Sequence, residues 1–254
     1  MEAILTLQDK KYRADLNHPL DISIPLRDGT EGVNCFYAPL MEIWPVKAGD
    51  FVGSTAEGGL LNFMNVKINP HGNGTHTECV GHIAKEPYSI NQCLRRFHFP
   101  AKVVSIYPTR LENGDRVILR EQVEAIYGQG DPEALVIRTM PNTADKLRRV
   151  YSGTNPPYMH HAAIEYLVEQ GVQHLLLDLP SVDREEDEGK LLAHKAFWRY
   201  PGTEEAGRLD CTISELVFVP DHVKDDYYLL NIQIASFELD VSPSKPVLYP
   251  LELL

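Results

Sequence analysis

Twelve consecutive residues, HGNGTHTECVGH from 71 to 82, bring His71, His76, His82 and Glu78 into one short span, with glycines at 72 and 74. His76 and Glu78 are two positions apart, so in extended chain both side chains leave on the same face. Pro70 and the two glycines, which tolerate positive φ, predict a sharp turn that carries His71 back to that face. Two imidazoles and a carboxylate form a first-row metal set: imidazole suits zinc, iron, nickel or copper, and the carboxylate adds negative charge for a divalent ion. Three protein ligands leave coordination positions open, and water admitted there has its pKa lowered to about 7, a source of hydroxide at neutral pH. The plain alternative is that each histidine is simply a satisfied polar residue. A His/Glu pair alone proves little, and it is the third histidine and the glycines that favour a metal. Cys79 falls on the opposite strand face and reads as a core thiol.

The elements that must position these groups follow from the apolar pattern. Alternation or β-branched runs predict strands at LDISIPL (20–26), FMNVKIN (63–69), KVVSIY (102–107), ALVIRT (134–139), LVFVP (216–220) and YYLLNIQIASF (227–237). The 63–69 strand enters the motif directly. MHHAAIEYLVEQG (159–171) has helical spacing through Ala163, Ile164, Leu167, Val168 and Gln170, with Gly171 as its stop. The strand HLLLDLP follows within three residues, which predicts a helix lying on a sheet and an α/β, strand-rich fold. GKLLAHKAFWRY (189–200) predicts a second helix, followed by a long excursion through Pro201, Gly202 and Gly207. No repeat, low-complexity segment or Gly/Ser linker divides the 254 residues, so one domain over 1–254 is expected.

Composition narrows the functional classes. A formal net charge of -12 argues against a nucleic-acid or anionic-membrane surface, either of which calls for a basic stripe. Part of the acidic excess sits in DREEDEG (183–189), which reads as a solvated loop. No apolar run approaches the roughly 20 residues of a membrane-spanning helix, and MEAILTLQDKKYRADLN lacks the pattern of a secretory signal. Cys35, Cys79, Cys93 and Cys211 are widely spaced with no CxxC pair, which fits buried thiols in a reducing compartment and a cytoplasmic location.

Other residues invite chemistry less strongly. His160 and His161 open the 159–171 helix, but neighbours on a helix point about 100° apart, so at most one faces a given ion; both read as structural or surface groups. Asp178 and Asp183 flank a strand end where ligands gather in α/β sheets, with turn capping the simpler reading. Phe36, Tyr37 and Trp44 are candidates for a substrate pocket, against the simpler reading of core packing.

The 71–82 run resembles the signature of the cyclase family of metal-dependent hydrolases, which includes bacterial kynurenine formamidases and isatin hydrolases and has a pattern close to HxGTHxDxPxH. LVEQGVQHLLLDLPSVD (167–183) is similar to the family's helix, strand and D-x-P-S-x-D segment. The resemblance implies a swivelling β/β/α architecture, with His71, His76 and Glu78 on a first ion. It further implies Glu78, His194 and Glu215 on a second, and a general acid/base role for His82; second-shell or ligand roles are the alternatives for His82. It also implies a homo-oligomer. This sequence departs from the pattern in an extra residue between His71 and His76, in Glu78 for aspartate, in Val80 for proline, and in a longer insertion between His194 and Glu215. With glutamate one methylene longer than aspartate, occupancy by one ion or by two fits, and mixed nitrogen and oxygen ligands accept zinc or manganese.

The expected function is hydrolysis of a non-peptide carbon-nitrogen bond in a small-molecule aryl formamide or cyclic amide (lactam). The cation stabilises the developing oxyanion, and the His82 imidazole carries the proton. A lactonase and a catalytically silent metal-binding scaffold are the alternatives.

Overall fold

The computed structural model describes residues 1–202 and 208–254, so the Gly207 part of the expected excursion lies outside the described residues. Its centre is a seven-strand barrel. Neighbour by neighbour, the ring runs His76–Glu78, Val241–Leu253, Tyr227–Ile234, His98–Ile106, Ala134–Thr139, His174–Leu177, Thr212–Glu215 and back to His76–Glu78. The steps from His98–Ile106 to Thr212–Glu215 are parallel and the others antiparallel. Closing the ring removes the free strand edges an open sheet would present.

The parallel strands are buried on both faces, which is why ALVIRT and HLLL read as unbroken apolar runs. Ala134, Val136 and Leu176 point into the barrel against Phe99, Leu230, Ile232 and Leu248. Leu135, Ile137, Leu175 and Leu177 point outward, under Ala163, Ile164 and Leu167 of the helix His161–Glu169 and Phe197 and Trp198 of the helix Leu192–Trp198. The first helix ends as expected: Gly171 takes φ +94°, and the Gly171 and Val172 amides donate back to the carbonyls of Val168 and Leu167. The α/β, strand-rich class holds.

Two expected strands are nearly absent. LDISIPL forms strand only at Leu20–Asp21, and a single bridge, Ser23 to Val217, links it to LVFVP. Leu216 turns left-handed at φ +54°, and the backbone is satisfied by loop bonds from Leu216 N–H to Leu179 O and from Phe218 N–H to Ile22 O. The real strand is the preceding TISE, Thr212–Glu215. The hairpin Glu2–Leu7 with Lys10–Asp15, and the 13-residue strand Val241–Leu253 that it extends, were not anticipated from the sequence.

Outside the barrel, the 63–69 run forms Met64–Lys67 and pairs with Glu42–Pro45, and Lys47–Ala48 pairs with Phe51–Val52. All four cysteines are free and buried, Cys79 inside the barrel as expected. Among the described residues, no helix is long and apolar enough to cross a membrane.

Candidate metal centre

The short strand His76–Glu78 carries the site. It pairs on one side with Thr212–Glu215, placing Glu215 opposite His76, and on the other with the start of Val241–Leu253, placing Val241 opposite Glu78. Cys79 faces the barrel interior, so His76 and Glu78 face outward, beneath the helix Leu192–Trp198 that contributes His194. Between Met64–Lys67 and this strand, residues Pro70–Asn73 make one helical turn, begun by the Asn69 side chain accepting from the Gly72 amide.

The expected reason for the glycines needs correcting. Neither Gly72 nor Gly74 adopts the left-handed region; Gly74, at φ 164°, is extended. Close approach is what both answer to, strictly at Gly72 and more loosely at Gly74. A Cβ on Gly72 would lie 2.3 Å from Ala38 Cβ, and one on Gly74 2.4 Å from Leu26 Cδ2.

The turn delivers His71 to the expected face. His71 Nδ1 is 3.3 Å from Glu78 Oε2, His76 Nε2 is 3.4 Å from Glu215 Oε2, and His194 Nε2 is 3.1 Å from Glu78 Oε1. Each imidazole is anchored through its other nitrogen. His71 Nε2–H donates to Asp240 Oδ2 at 2.9 Å, His76 Nδ1–H to Gly74 O at 2.9 Å, and His194 Nδ1–H to Asp183 Oδ2 at 2.6 Å. Anchoring one ring nitrogen to an oxygen fixes the tautomer, leaving the inward nitrogen as the lone-pair donor a metal requires.

Charge is concentrated here. Burial works against ionisation of Glu78, but His82, His194 and His71 outweigh it and hold its carboxyl well below the usual range. Burial also opposes the cationic form of His71 and His194. Hydrogen bonds to Asp240 and Glu78 in the first case, and to Asp183 and Glu78 in the second, nevertheless raise each to about 10.

Within the site two buried atoms, His76 Nε2 and Glu78 Oε2, lack a hydrogen bond of good geometry, their nearest polar neighbours being Glu215 Oε2 at 3.4 Å and His71 Nδ1 at 3.3 Å. A buried acceptor left unmade costs about 1–3 kcal/mol, so two orphans side by side mark a missing partner. His71, His76 and Glu78 present ligand atoms all within 4.8 Å of one another, as do Glu78, His82 and His194, and also His71, His82 and Asp240. A nitrogen and oxygen donor set of this kind fits a divalent first-row ion.

The residues of the second expected set are neighbours too. Glu215 stands between His76 and His194, with Oε1 3.9 Å from His194 Nε2 and accepting from the Val182 amide at 2.8 Å, and Oε2 3.4 Å from His76 Nε2. Asp240 was missed entirely: no spacing connects it to the motif, because it arrives from the far end of the chain. Asp183 has more to do than cap a turn. Besides orienting His194 it accepts from the Ala193 and His194 amides, opening their helix. Asp178 is buried in a different place, holding Lys146 and Thr139.

Phe36, Tyr37 and Trp44 are all exposed, contrary to the core reading. Phe36 and Tyr37 are left-handed residues bordering the His71 turn, which Cys35 N–H grips at Gly72 O. His160 caps the helix His161–Glu169 through the Ala162 amide, and neither it nor His161 joins a ligand cluster among the described residues.

Comparison with known proteins agrees with this geometry. The chain is 26% identical over 201 residues to a kynurenine formamidase from Bacillus cereus, spanning 78% of this chain and 85% of that protein. Isatin hydrolase A from Labrenzia aggregata superposes with a TM-score of 0.66 at 13% identity, over 92% of this chain and 94% of the other. A structure described as a predicted metal-dependent hydrolase from Bacillus stearothermophilus does so with a TM-score of 0.62 at 14% identity, over 91% and 98%. These likenesses show a shared fold. The profile described as "Putative cyclase" matches residues 14–184, well over half of the sequence, and the chain belongs to that Cyclase family.

Proposed function

We propose that this protein is a metal-dependent hydrolase that opens the carbon-nitrogen bond of a small aryl formamide or cyclic amide. The observation that carries this reading is the pair of orphaned buried atoms, His76 Nε2 and Glu78 Oε2, at the focus of tautomer-fixed imidazoles. His71, His76 and Glu78 would hold a divalent ion, zinc first and manganese second, with Glu78 and His194 available to a second. A bound ion supplies Lewis acidity toward the carbonyl and a nucleophile from water at neutral pH.

The remaining work falls to the chain. His76, Glu78, His194 and Glu215 form a buried floor, whereas His71, His82 and Asp240 are 25–29% exposed and form the open side from which substrate arrives. His82 on that open side takes a proton from water and delivers it to the departing nitrogen. Phe36 and Tyr37, exposed beside the His71 turn, are placed to meet an aromatic substrate. The amide reading is supported by the kynurenine formamidase relative and the isatin hydrolase fold neighbour. A cytoplasmic location fits the four buried free thiols.

Protein purified without added metal is expected to carry zinc or manganese by elemental analysis and to cleave members of a panel of formamides, lactams and lactones. His76→Ala should lose both metal and turnover, while His82→Ala should keep the metal and lose the rate. An undiminished rate in His82→Ala removes that histidine from the chemistry, and turnover confined to lactones replaces amide by ester.

We also propose a homo-oligomer. The segment 40–66, outside the barrel, leaves Leu40, Trp44, Phe51, Leu60, Phe63 and Val66 exposed, apolar side chains that a second copy would cover. Light scattering should give a multiple of the single-chain mass, reduced to one chain by Leu60→Glu with Phe63→Glu. A monomeric wild type refutes it.

A further inference from the structure

One carboxylate oxygen, Asp240 Oδ2, lies within hydrogen-bond distance of two imidazoles at once: 2.9 Å from His71 Nε2 and 3.3 Å from His82 Nδ1. The two rings lie against one another with centroids 4.4 Å apart and a 38° tilt, so both N–H bonds converge on that oxygen. A carboxylate oxygen has lone pairs for both.

Its placement is built by the barrel. Asp240 immediately precedes Val241, the register partner of Glu78. Its own carbonyl accepts from the Cys79 amide at 2.9 Å, and the preceding carbonyl, of Leu239, accepts from the Ile90 amide at 2.7 Å. Gly81 permits the approach, since a Cβ there would lie 2.1 Å from Tyr88 O and 3.2 Å from Asp240 Cβ. Asp240 lies outside the residues matched by the family profile, so the link between it and the motif is visible only in the folded chain.

The consequences for the two histidines differ. The His71 ring stands between two carboxylates, one nitrogen to each, so donation from Nε2–H to Asp240 leaves Nδ1 for an ion beside Glu78. Donation from His82 Nδ1–H leaves Nε2 as the nitrogen free to accept a proton, the same division of labour by which a carboxylate orients a catalytic imidazole elsewhere. We propose that Asp240 is a positioning residue shared between the ligand His71 and the proton carrier His82, so that one side chain aligns the ion's holder and the acid/base group together. This rests on the metal-dependent reading of the site.

The test compares Asp240→Ala and Asp240→Asn by zinc affinity in a chelator competition, and by nitrogen NMR of the His82 imidazole, which reports its tautomer without a substrate. Asp240→Ala is expected to weaken zinc roughly 10–100-fold and to abolish the Nδ1–H tautomer preference of His82. Asp240→Asn, whose Oδ1 still accepts from both imidazoles, recovers part of both effects, and it serves alone should the alanine variant fail to fold. Unchanged zinc affinity, or an unchanged His82 tautomer, overturns the shared role. Loss of one whole equivalent of zinc, with the remainder bound as tightly as before, makes Asp240 a ligand and overturns it too. Wild-type protein that binds no divalent metal refutes the functional reading itself, whereas wild-type binding unaltered by Asp240→Ala refutes only the role of Asp240.

Discussion

Replacing Asp183 with asparagine should separate the stability of the helix bearing His194 from the metal affinity of that histidine. Asp183 accepts three hydrogen bonds, from the Ala193 and His194 amides at 2.8 and 3.1 Å and from His194 Nδ1–H at 2.6 Å. With its oxygen toward the Ala193 amide, asparagine keeps one of the two helix-start bonds and gives up the one to the His194 amide, so its capping loss is smaller than that of alanine. Its other terminus is an NH2 that can only donate, and opposite His194 Nδ1 it selects the tautomer with hydrogen on Nε2, the nitrogen facing Glu78. A protonated Nε2 is no ligand, so affinity for an ion held by Glu78 and His194 should fall at least as far as for loss of an outer partner, roughly 10–100-fold or about 1.4–2.8 kcal/mol. Asp183→Ala, by contrast, removes the cap, at about 1 kcal/mol, and a charged hydrogen bond, at about 1.5–3 kcal/mol. At roughly 2–4 °C per kcal/mol for a chain of this size, its melting temperature should drop by about 5–16 °C in metal-free protein, with Asp183→Asn well above it. Differential scanning calorimetry in chelator and zinc competition at neutral pH supply the two numbers. Equal melting temperatures, or wild-type zinc affinity in Asp183→Asn, would refute the reasoning.

Acid should act through a residue remote from the site. Burial, with Arg96 and Arg208 nearby, lowers buried His174 to about 3, against an ordinary value near 6.5. Its native form is neutral and the unfolded chain takes up the proton first, so its contribution is complete above pH 6.5 and is lost at up to about 1.4 kcal/mol per pH unit as pH falls toward 3. Urea midpoints across that window should therefore fall less steeply for His174→Gln than for wild type, and parallel slopes would exclude His174 as the cause. The two motif glycines should differ in cost. Gly72→Ala meets Ala38 Cβ and Cys35 O, fixed groups, and should lose about 1–3 kcal/mol with impaired metal binding, while Gly74→Ala meets only the mobile end of Leu26 and should lose less; isothermal titration with zinc and thermal melts rank them.

The sequence carried the local half of the site and little of the remote half. His71, His76 and Glu78 were legible because strand periodicity and a Pro-Gly turn act over a few residues, and the structure brings them together as expected. Resemblance placed His194 on the same carboxylate. Asp240 and the hydrogen-bonded position of Glu215 depend on which strands close the ring, a pairing that hydrophobic alternation does not encode. The central strand ALVIRT was read to the residue because both its faces are buried. LVFVP misled for the opposite reason: it is equally apolar, but Leu216 leaves the sheet, and its burial is met by loop packing around Ile24, Val33 and Tyr151. The N-terminal hairpin gave no turn signal, because its turn, Gln8-Asp9, uses left-handed residues other than glycine and its second strand, KKYRAD, is largely polar.

The three-residue stave His76–Glu78 joins the two ends of the barrel sheet, Thr212–Glu215 and Val241–Leu253. Completing the ring and gathering the ligands are therefore the same event, and a half-folded chain possesses neither. Breathing at this seam would separate Glu78 from its companions, so the residence time of any ion held there would be tied to the opening rate of the seam.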